Sequence, residues 1–494
     1  MRIGRTALLM LTALMLTGAV ATQPQPQISG ADLVVKAITI EPESPKPGDE
    51  LTITATVLNQ GRGDVTESFN VQLVVSLGPP EFSAIGFGEL GGIQVGVQRV
   101  GGGLRAGQEK QVRFQWKMIA LPLAKLWVVA DAPFDNVLET DEENNALEAI
   151  VRVESQYLDQ WWLERINARE AWEITQGSEE VVVAVIDSGI DYTHPELAGA
   201  MWTNPGEIPN NGLDDDGNGF IDDLRGWDFV DYDNDSLKGT PLDPHGTAVA
   251  ALIAAAADGK GTTGVAPEVR LMDLRVLDTR GRGKWSDAFK AIEYAIESGA
   301  DIINMSFSSP YAEEAEDWFA RHAAPLLERA IGSGVIIVAS AGNESREVSW
   351  LARFPEVIAV SATTKDNEAA SYSNFGPEVE LAAPGGDLSW EQLKARLAIA
   401  RSFEEILPVV SNLLITPWIR EYYGWFAGTS AAAPLVSGTI ALLRSLKPDL
   451  SLEEIRQIFR ETATDLGEPG RDEQFGYGLI DAAAAVKYLA TRGR

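Results

Sequence analysis

The chain has 494 residues, which at roughly 100–200 residues per domain predicts two to four domains. Its 40 Lys+Arg against 72 Asp+Glu leave a net charge of −32, which repels phosphate backbones and anionic lipid, excludes a nucleic-acid partner as the leading reading, and favours cations instead. With no cysteine and only 3 histidines, disulfides, thiolate catalysis, iron–sulfur clusters, cysteine zinc sites and most histidine metal sites are excluded.

Arg2 and Arg5 precede an apolar run over residues 6–20, and Ala19-Val20-Ala21 has the small-x-small pattern that signal peptidase cuts after. Residues 1–21 are therefore expected to be a signal peptide and 22–30 a polar linker, with an uncleaved N-terminal anchor as the alternative. No later stretch of 18 apolar residues follows, so the mature chain is expected to be secreted or otherwise extracytoplasmic, with no membrane span.

From residue 31 the apolar period becomes two. Leu51, Ile53, Ala55 and Val57 form one such set, followed by Phe69, Val71, Leu73 and Val75, then Val112, Phe114 and Trp116, then Ala149, Val151 and Val153. Turn clusters at 44–49 and 59–64 separate them at short intervals. This predicts an antiparallel sandwich of about 120 residues, complete within 31–153 and able to fold by itself. Asp32-Leu33-Val34-Val35, the Pro45-Lys46-Pro47-Gly48 turn, Asn59-Gln60-Gly61, Ala106-Gly107-Gln108 and the closing run from Asp135 through Asp141-Glu142 to Asn144-Asn145 resemble the cell-adhesion-related bacterial domain (CARDB), an immunoglobulin-like module. The Gly-rich stretch 86–103 departs from that family by lengthening the middle of the sandwich. The resemblance implies a cell-surface or protein partner for residues 31–154.

From about residue 155 strands alternate with helices, which implies an α/β domain over 155–494 with a mostly parallel sheet and helices on both faces. Continuous apolar runs at 181–186, 335–338 and 357–360 read as buried strands, and 285–298, 312–331 and 452–462 have helical spacing. An insertion at 387–423, with Leu393, Leu397, Phe403, Leu407 and Val410, also reads helical.

Three motifs in this domain put a reactive side chain at a strand end or a helix start. Asp187-Ser188-Gly189 follows the run 181–186, at the carboxyl edge of the sheet where open α/β folds bind ligands. His245-Gly246-Thr247 precedes an Ala-rich helix over 248–257, and in Gly428-Thr429-Ser430-Ala431 a serine opens a helix whose N-terminal N–H groups favour developing negative charge. Peptide-bond hydrolysis by a serine needs a base, an acid that orients it, and donors for the oxyanion. Ser430 would attack, His245 would shuttle the proton and Asp187 would hold the imidazole tautomer. Asn343 in Ala341-Gly342-Asn343 would donate its amide beside the Ser430 N–H to form the oxyanion hole.

The order Asp, His, Ser, together with Val185-Ile186-Asp187-Ser188-Gly189-Ile190-Asp191, His194-Pro195, Gly264-Val265-Ala266-Pro267, Asn304-Met305-Ser306 and Ala383-Pro384-Gly385, resembles the subtilase family over about 160–490. The resemblance implies a three-layer α/β/α subtilisin-like fold. After Ser306 the family usually runs through Leu to Gly, where an extended substrate pairs with the enzyme's backbone. Here Phe307-Ser308 follow, so Ser306, Phe307 and Ser308 are the implied substrate-binding residues. Ala248 and Ala431 replace a His and a Met common in the family, and neither position supplies a triad group.

Asp214–Asp222 reads DDDGNGFID, so that Asp214, Asp216, Asn218 and Asp222 fall at positions 1, 3, 5 and 9 of an EF-hand-like calcium spacing. Arg225 stands where an EF-hand has its bidentate Glu, so Asp223, Asp228 or Asp231 must complete the shell of a Ca2+ ion. A merely solvated acidic loop is the alternative. Together these features predict an exported serine endopeptidase acting on proteins or peptides. The competing reading is a calcium-dependent surface adhesion or binding protein whose protease scaffold is inactive and whose Ser430 is no more than a helix cap.

Overall fold

The computed structural model of the chain describes residues 30–492, apart from 77–91, 119–122, 133–136, 138, 142–143, 154–157, 240, 308, 310–314 and 389–409. The expected signal peptide, nearly all of the linker, Ser308, and residues 389–409 of the expected helical insertion lie outside the described residues.

Seven strands build the N-terminal unit: β1 (Leu33–Glu41), β2 (Glu50–Asn59), β3 (Phe69–Ser76), β4 (Gly92–Val100), β5 (Glu109–Lys117), β6 (Leu123–Ala130) and β7 (Ala146–Arg152). They form two antiparallel sheets, β1-β2-β5 and β4-β3-β6-β7. Alternate residues point inward, so Leu51, Ile53, Ala55 and Val57 of one sheet share a core with Val71, Leu73, Leu126 and Val128 of the other. Four of these strands follow the period-two pattern of the sequence. Strand β4 is the second half of the Gly-rich stretch, and in β6 the apolar run Leu126–Val129 masks the alternation. The sandwich core also takes in Val410 and Leu413 from far along the chain, so it is not closed within 31–153.

The second unit is a seven-stranded parallel sheet of β8 (Val182–Asp187), β9 (Gly226–Asp228), β10 (Arg270–Arg275), β11 (Ile302–Met305), β12 (Ile336–Ser340), β13 (Val357–Thr363) and β14 (Val379–Pro384), in the order β14-β13-β12-β11-β8-β10-β9. Successive strand residues serve opposite layers. Val183, Val185, Ile336, Val338 and Ile358 pack in one core, and Val182, Ala184, Ile186, Ile337 and Ala339 in the other. Burial on both faces is why these strands read as continuous apolar runs.

Short helices α1 (Trp161–Arg165) and α2 (Ala168–Ala171) lead in, followed by α3 (Pro244–Ala254), α4 (Trp285–Glu297), α5 (Glu316–His322), α6 (Ala324–Gly332), α7 (Thr429–Leu446), α8 (Leu452–Thr462) and α9 (Ala482–Arg492). The helix expected over 312–331 is two helices broken at Ala323, because Pro325 offers no N–H to continue the ladder. The helical reading of 387–423 fails in its described C-terminal part. Val410 is the end of a helical turn, but β15 (Leu414–Pro417) and β16 (Tyr423–Phe426) pair as an antiparallel hairpin turned at Arg420 and Glu421, both with positive φ. Beyond Val410 the segment is rich in β-branched and aromatic residues, which suit a buried hairpin better than a helix. Among the described residues no helix is long and apolar enough to cross a membrane.

Candidate active site

The parallel register sets Asp187 at the end of β8, level with Arg275 of β10, while Met305 of β11 pairs with Ile186 and leaves Ser306 just beyond. Asp187, Ser306 and Asn343 therefore gather at the carboxyl edge of the sheet, because β8, β11 and β12 are adjacent and run the same way.

Asp243 caps α3 by accepting from the His245 N–H at 2.9 Å, which fixes His245 in the first turn of the helix, earlier than the 248 start expected from sequence. Ser188 Oγ accepts from the Gly246 N–H at 2.9 Å and donates to the Asp243 carbonyl at 3.1 Å. A Cβ on Gly246 would stand 2.4 Å from the Gly189 carbonyl oxygen, so only glycine lets α3 approach the end of β8 this closely. The result is His245 Nδ1 at 2.7 Å from Asp187 Oδ1, with the Asp187 carboxyl fully buried. Burial is the largest influence on the imidazole and pushes it down. The Asp187 charge and hydrogen bond, with the Asp243 charge, outweigh it and raise His245 above its ordinary value.

The other two histidines are placed elsewhere. His194 is buried edge-on against Tyr423 (5.3 Å between centroids) and pushed down to about 4, chiefly by burial. His322 stacks on Trp318 and bonds its carbonyl at 2.7 Å, on the exposed side of α5.

Gly428 precedes α7 with φ +130, a conformation strained for any side chain, and its turn presents Thr429 and Ser430 as the first helical residues. Thr429 makes a contact at this edge that the sequence did not single out. Its N–H and its hydroxyl both donate to Asn343 Oδ1 at 2.9 Å. Asn343 itself is exposed, and Thr429 uses only the carbonyl oxygen of its amide. Ser430 is buried, and its hydroxyl donates to the Ser306 carbonyl at 2.7 Å rather than resting on His245. Asn304 steadies this edge, donating to Ser306 Oγ at 3.0 Å and accepting from Ser437 of α7 at 2.8 Å. Phe307 is half-buried beside Trp285, with ring centroids 6.0 Å apart. On the other side of the site the Phe426 ring lies edge-on to His245 at 5.2 Å. Only the Gly-Thr-Ser motif hinted at Thr429, and nothing in the sequence singled out Phe426.

The acidic loop is assembled differently from an EF-hand. Asp214 spends its oxygens on the Gly217, Asn218 and Gly219 N–H groups at 2.7–3.1 Å, and Asp222 accepts from Asn211 and Gly212 at 3.0 and 2.8 Å. Asn218 turns its amide N–H toward Asp216 and Asp223. Asp214 and Asp216 meet at the Asn218 N–H, at 3.1 and 3.0 Å, but Asp222 faces Asn211 and Gly212, so the four expected ligands do not form one group. Instead Asp216 gathers with Glu207 and Asp223, one carboxylate oxygen of each lying within 4.8 Å of the other two. Three oxygen donors this close, two of them on buried residues, fit a hard cation such as calcium. Asp223 had been one of the candidates for completing the shell, whereas Glu207 lies outside the acidic run and carries no spacing signal.

Comparisons with known proteins accord with this geometry. The model of the subtilase family (Peptidase_S8) matches residues 178–478, and that of CARDB matches residues 30–149. The chain is 30% identical to the minor extracellular protease Epr of Bacillus subtilis (strain 168), over 67% of this chain and 42% of that one. It is 32% identical to the halolysin-like extracellular serine protease Nep of Natrialba magadii (71% and 57%) and 33% identical to a thermophilic serine proteinase of Bacillus sp. strain AK1 (64% and 64%). The chain thus spans 42–64% of the length of these curated relatives. Among solved structures, that of a lanthipeptide protease superposes with a TM-score of 0.52 at 26% identity, covering 67% of this chain and 94% of that one.

Proposed function

The chain belongs to the subtilase family, and on that premise we propose that it is an exported serine endopeptidase that cleaves protein or peptide substrates through Asp187, His245 and Ser430. The observation that carries the reading is the 2.7 Å contact between His245 Nδ1 and buried Asp187, on the same sheet edge as the helix that opens with Ser430. In the reaction the Ser430 hydroxyl leaves the Ser306 carbonyl for His245 Nε2. Its oxygen attacks the scissile carbonyl carbon while the proton passes to the imidazole. The resulting oxyanion accepts from the Ser430 N–H and Asn343 Nδ2. His245 then protonates the leaving amine, and water, deprotonated by the same imidazole, releases the acyl group from Ser430.

The raised basicity of His245 supports a base that stays poised through this sequence. Residues 306–308 would pair with the extended substrate backbone. A calcium ion held by Glu207, Asp216 and Asp223 would serve stability by offsetting the repulsion of three gathered carboxylates. Relatives named as extracellular proteases support export.

Fluorophosphonate labelling of the purified chain, with and without Ser430→Ala, tests the assignment. Labelling and peptide hydrolysis should both vanish in the variant. Asp187→Ala and His245→Ala should each be nearly as inactive as the triple variant, since the three act as a unit. Near-normal hydrolysis by Ser430→Ala would sink the reading, and an unlabelled, inactive parent chain would favour the adhesion-protein alternative.

A further inference from the structure

The contact between the sandwich and the catalytic unit is a shared core rather than a tethered surface. Val410 and Leu413, which lead into β15, are buried among the sandwich residues, and Trp425 of β16 packs against the sandwich core and the catalytic core at once. Polar contacts repeat the link. Arg152 of β7 pairs with Glu421 at the hairpin tip (3.4 Å) and Lys125 of β6 sits over the Tyr422 ring at 4.1 Å, while Leu413 is tied back to the catalytic unit by Trp161 of α1, which donates to its carbonyl at 3.2 Å.

The same hairpin reaches the reacting groups. Strand β15 packs on α3, which carries His245, and Phe426 at the end of β16 meets the His245 ring. The Arg420 N–H donates to Asp191 Oδ2 at 2.7 Å, and the Asp191 N–H donates to Thr247 Oγ1 in α3 at 2.9 Å. Tyr423 bonds Glu196, which in turn accepts from Thr262. Four residues after Phe426 comes Ser430.

We infer that the N-terminal sandwich is a positioning part of the catalytic centre: by gripping Val410, Leu413 and Trp425 it holds the β15–β16 hairpin against α3 and Phe426 against His245. The inference rests on the peptidase reading for its activity readout, and on the packing alone for its structural one. Leu413 and Trp425 are positioning residues that touch no reacting atom. The coupling runs through a contiguous packed chain with the hairpin as the movable element. A module that merely recruits a surface would have no reason to share a core with the loop beside the nucleophile. A sandwich so placed makes the geometry around His245 conditional on the docked domain, and the two arms of the hairpin connect that condition to both the base and the nucleophile.

The test uses the full chain. Leu413→Ala, assayed well below its melting temperature on a small peptide ester and normalised to fluorophosphonate-reactive sites, should lower kcat about 3–30-fold with KM little changed, the range expected for a positional coupling. In the Ser430→Ala background, where self-digestion is absent, the same change should speed amide hydrogen exchange in residues 414–426 by about tenfold or more. The volume-conserving Leu413→Met should restore both.

If Leu413→Ala does not fold, Arg152→Glu carries the test, with a smaller loss of kcat and faster exchange that the exchanged pair Arg152→Glu with Glu421→Arg reverses. Faster exchange with kcat unchanged, or unchanged exchange in 414–426, overturns the inference. A parent chain without Ser430-dependent turnover would count against the peptidase reading, and the exchange measurement would then decide the docking by itself.

Discussion

Asn343→Ala tests the oxyanion hole, and the structure divides its effect into two parts. The side chain accepts two hydrogen bonds from Thr429 through Oδ1, each at 2.9 Å, and Nδ2 is the donor proposed for the oxyanion. Loss of the acceptor should cost about 1 kcal/mol of stability, as removal of a helix-start partner does. For a domain of roughly 300 residues that lowers Tm by about 1–2 °C. Loss of the donor removes about 3–4 kcal/mol that is expressed only when the carbonyl oxygen carries charge, so kcat should fall roughly 100–1,000-fold with KM little changed. Asn343→Asp separates the two, because it keeps an acceptor for Thr429 but offers no donor and adds a charge that opposes the oxyanion. It should melt near the parent and be at least as slow as the Ala variant. Steady-state and burst kinetics on a peptide anilide, normalised to titrated sites, measure both. A pure KM effect, or an Asp variant with parental kcat, would refute the role given to Nδ2.

The acid limb of kcat/KM should lie above the ordinary imidazole value of about 6.5, because the base must be neutral and His245 is raised. Asp243→Asn keeps the cap of α3 but removes one of the charges that favour the imidazolium, so the limb should move to lower pH; a limb that stays put or rises would contradict this. Calcium at about 100 times Kd should add roughly 2.7 kcal/mol to the folded state, seen as a rise in Tm that Glu207→Gln with Asp223→Asn abolishes. Asp214→Ala should instead lower Tm equally with calcium or chelator, since that carboxylate serves the backbone of the loop, and loss of the calcium increment alone would restore it as a ligand.

Most of the architecture was legible because burial wrote it into periodicity. The alternation in β2 and β3 marks half-buried strands, and the short, β-branched apolar runs of β8, β12 and β13 suit buried strands better than helices. Asp187, His245 and Asn343 were legible for a related reason: a strand end or helix start flanked by small residues advertises a close approach, as Gly246 against Gly189 does here. What could not be read depends on chain segments distant in sequence. Spacing within 214–222 resembles a metal loop whether its carboxylates face an ion or their own backbone, and Glu207, which the fold brings to Asp216 and Asp223, lies outside the motif. The hairpin after Val410 was read with the periodicity of the residues before it. The sandwich looked complete because an inward-facing pattern does not disclose that part of its cover, Val410 and Leu413, comes from more than 250 residues later (413 − 153 = 260).

The acidic loop and the base are connected through Arg275, which gives the loop's position between Asp187 and His245 a physical meaning. Arg275 stands level with Asp187 in the β8–β10 pairing, and the next residue, Val276, donates its N–H to the Asp187 carbonyl at 2.7 Å. Its fully buried guanidinium bonds Asp228 at 2.9 Å, five residues past the Asp223 of the acidic cluster. It also donates to the Ser236 and Pro241 carbonyls at 3.1 Å, just before the Asp243 cap of His245. One side chain thus ties the end of the loop, the strand beside Asp187 and the approach to His245. Removing one partner of so buried a pair typically costs about 3–5 kcal/mol, more than the calcium increment, and lysine cannot replace a fork that serves three acceptors. Because the clamp uses none of Glu207, Asp216 and Asp223, it is expected to hold when an ion at that cluster is removed. On the peptidase reading, chelation should therefore cost the chain melting temperature and resistance to self-digestion while leaving kcat nearly intact at temperatures where it stays folded.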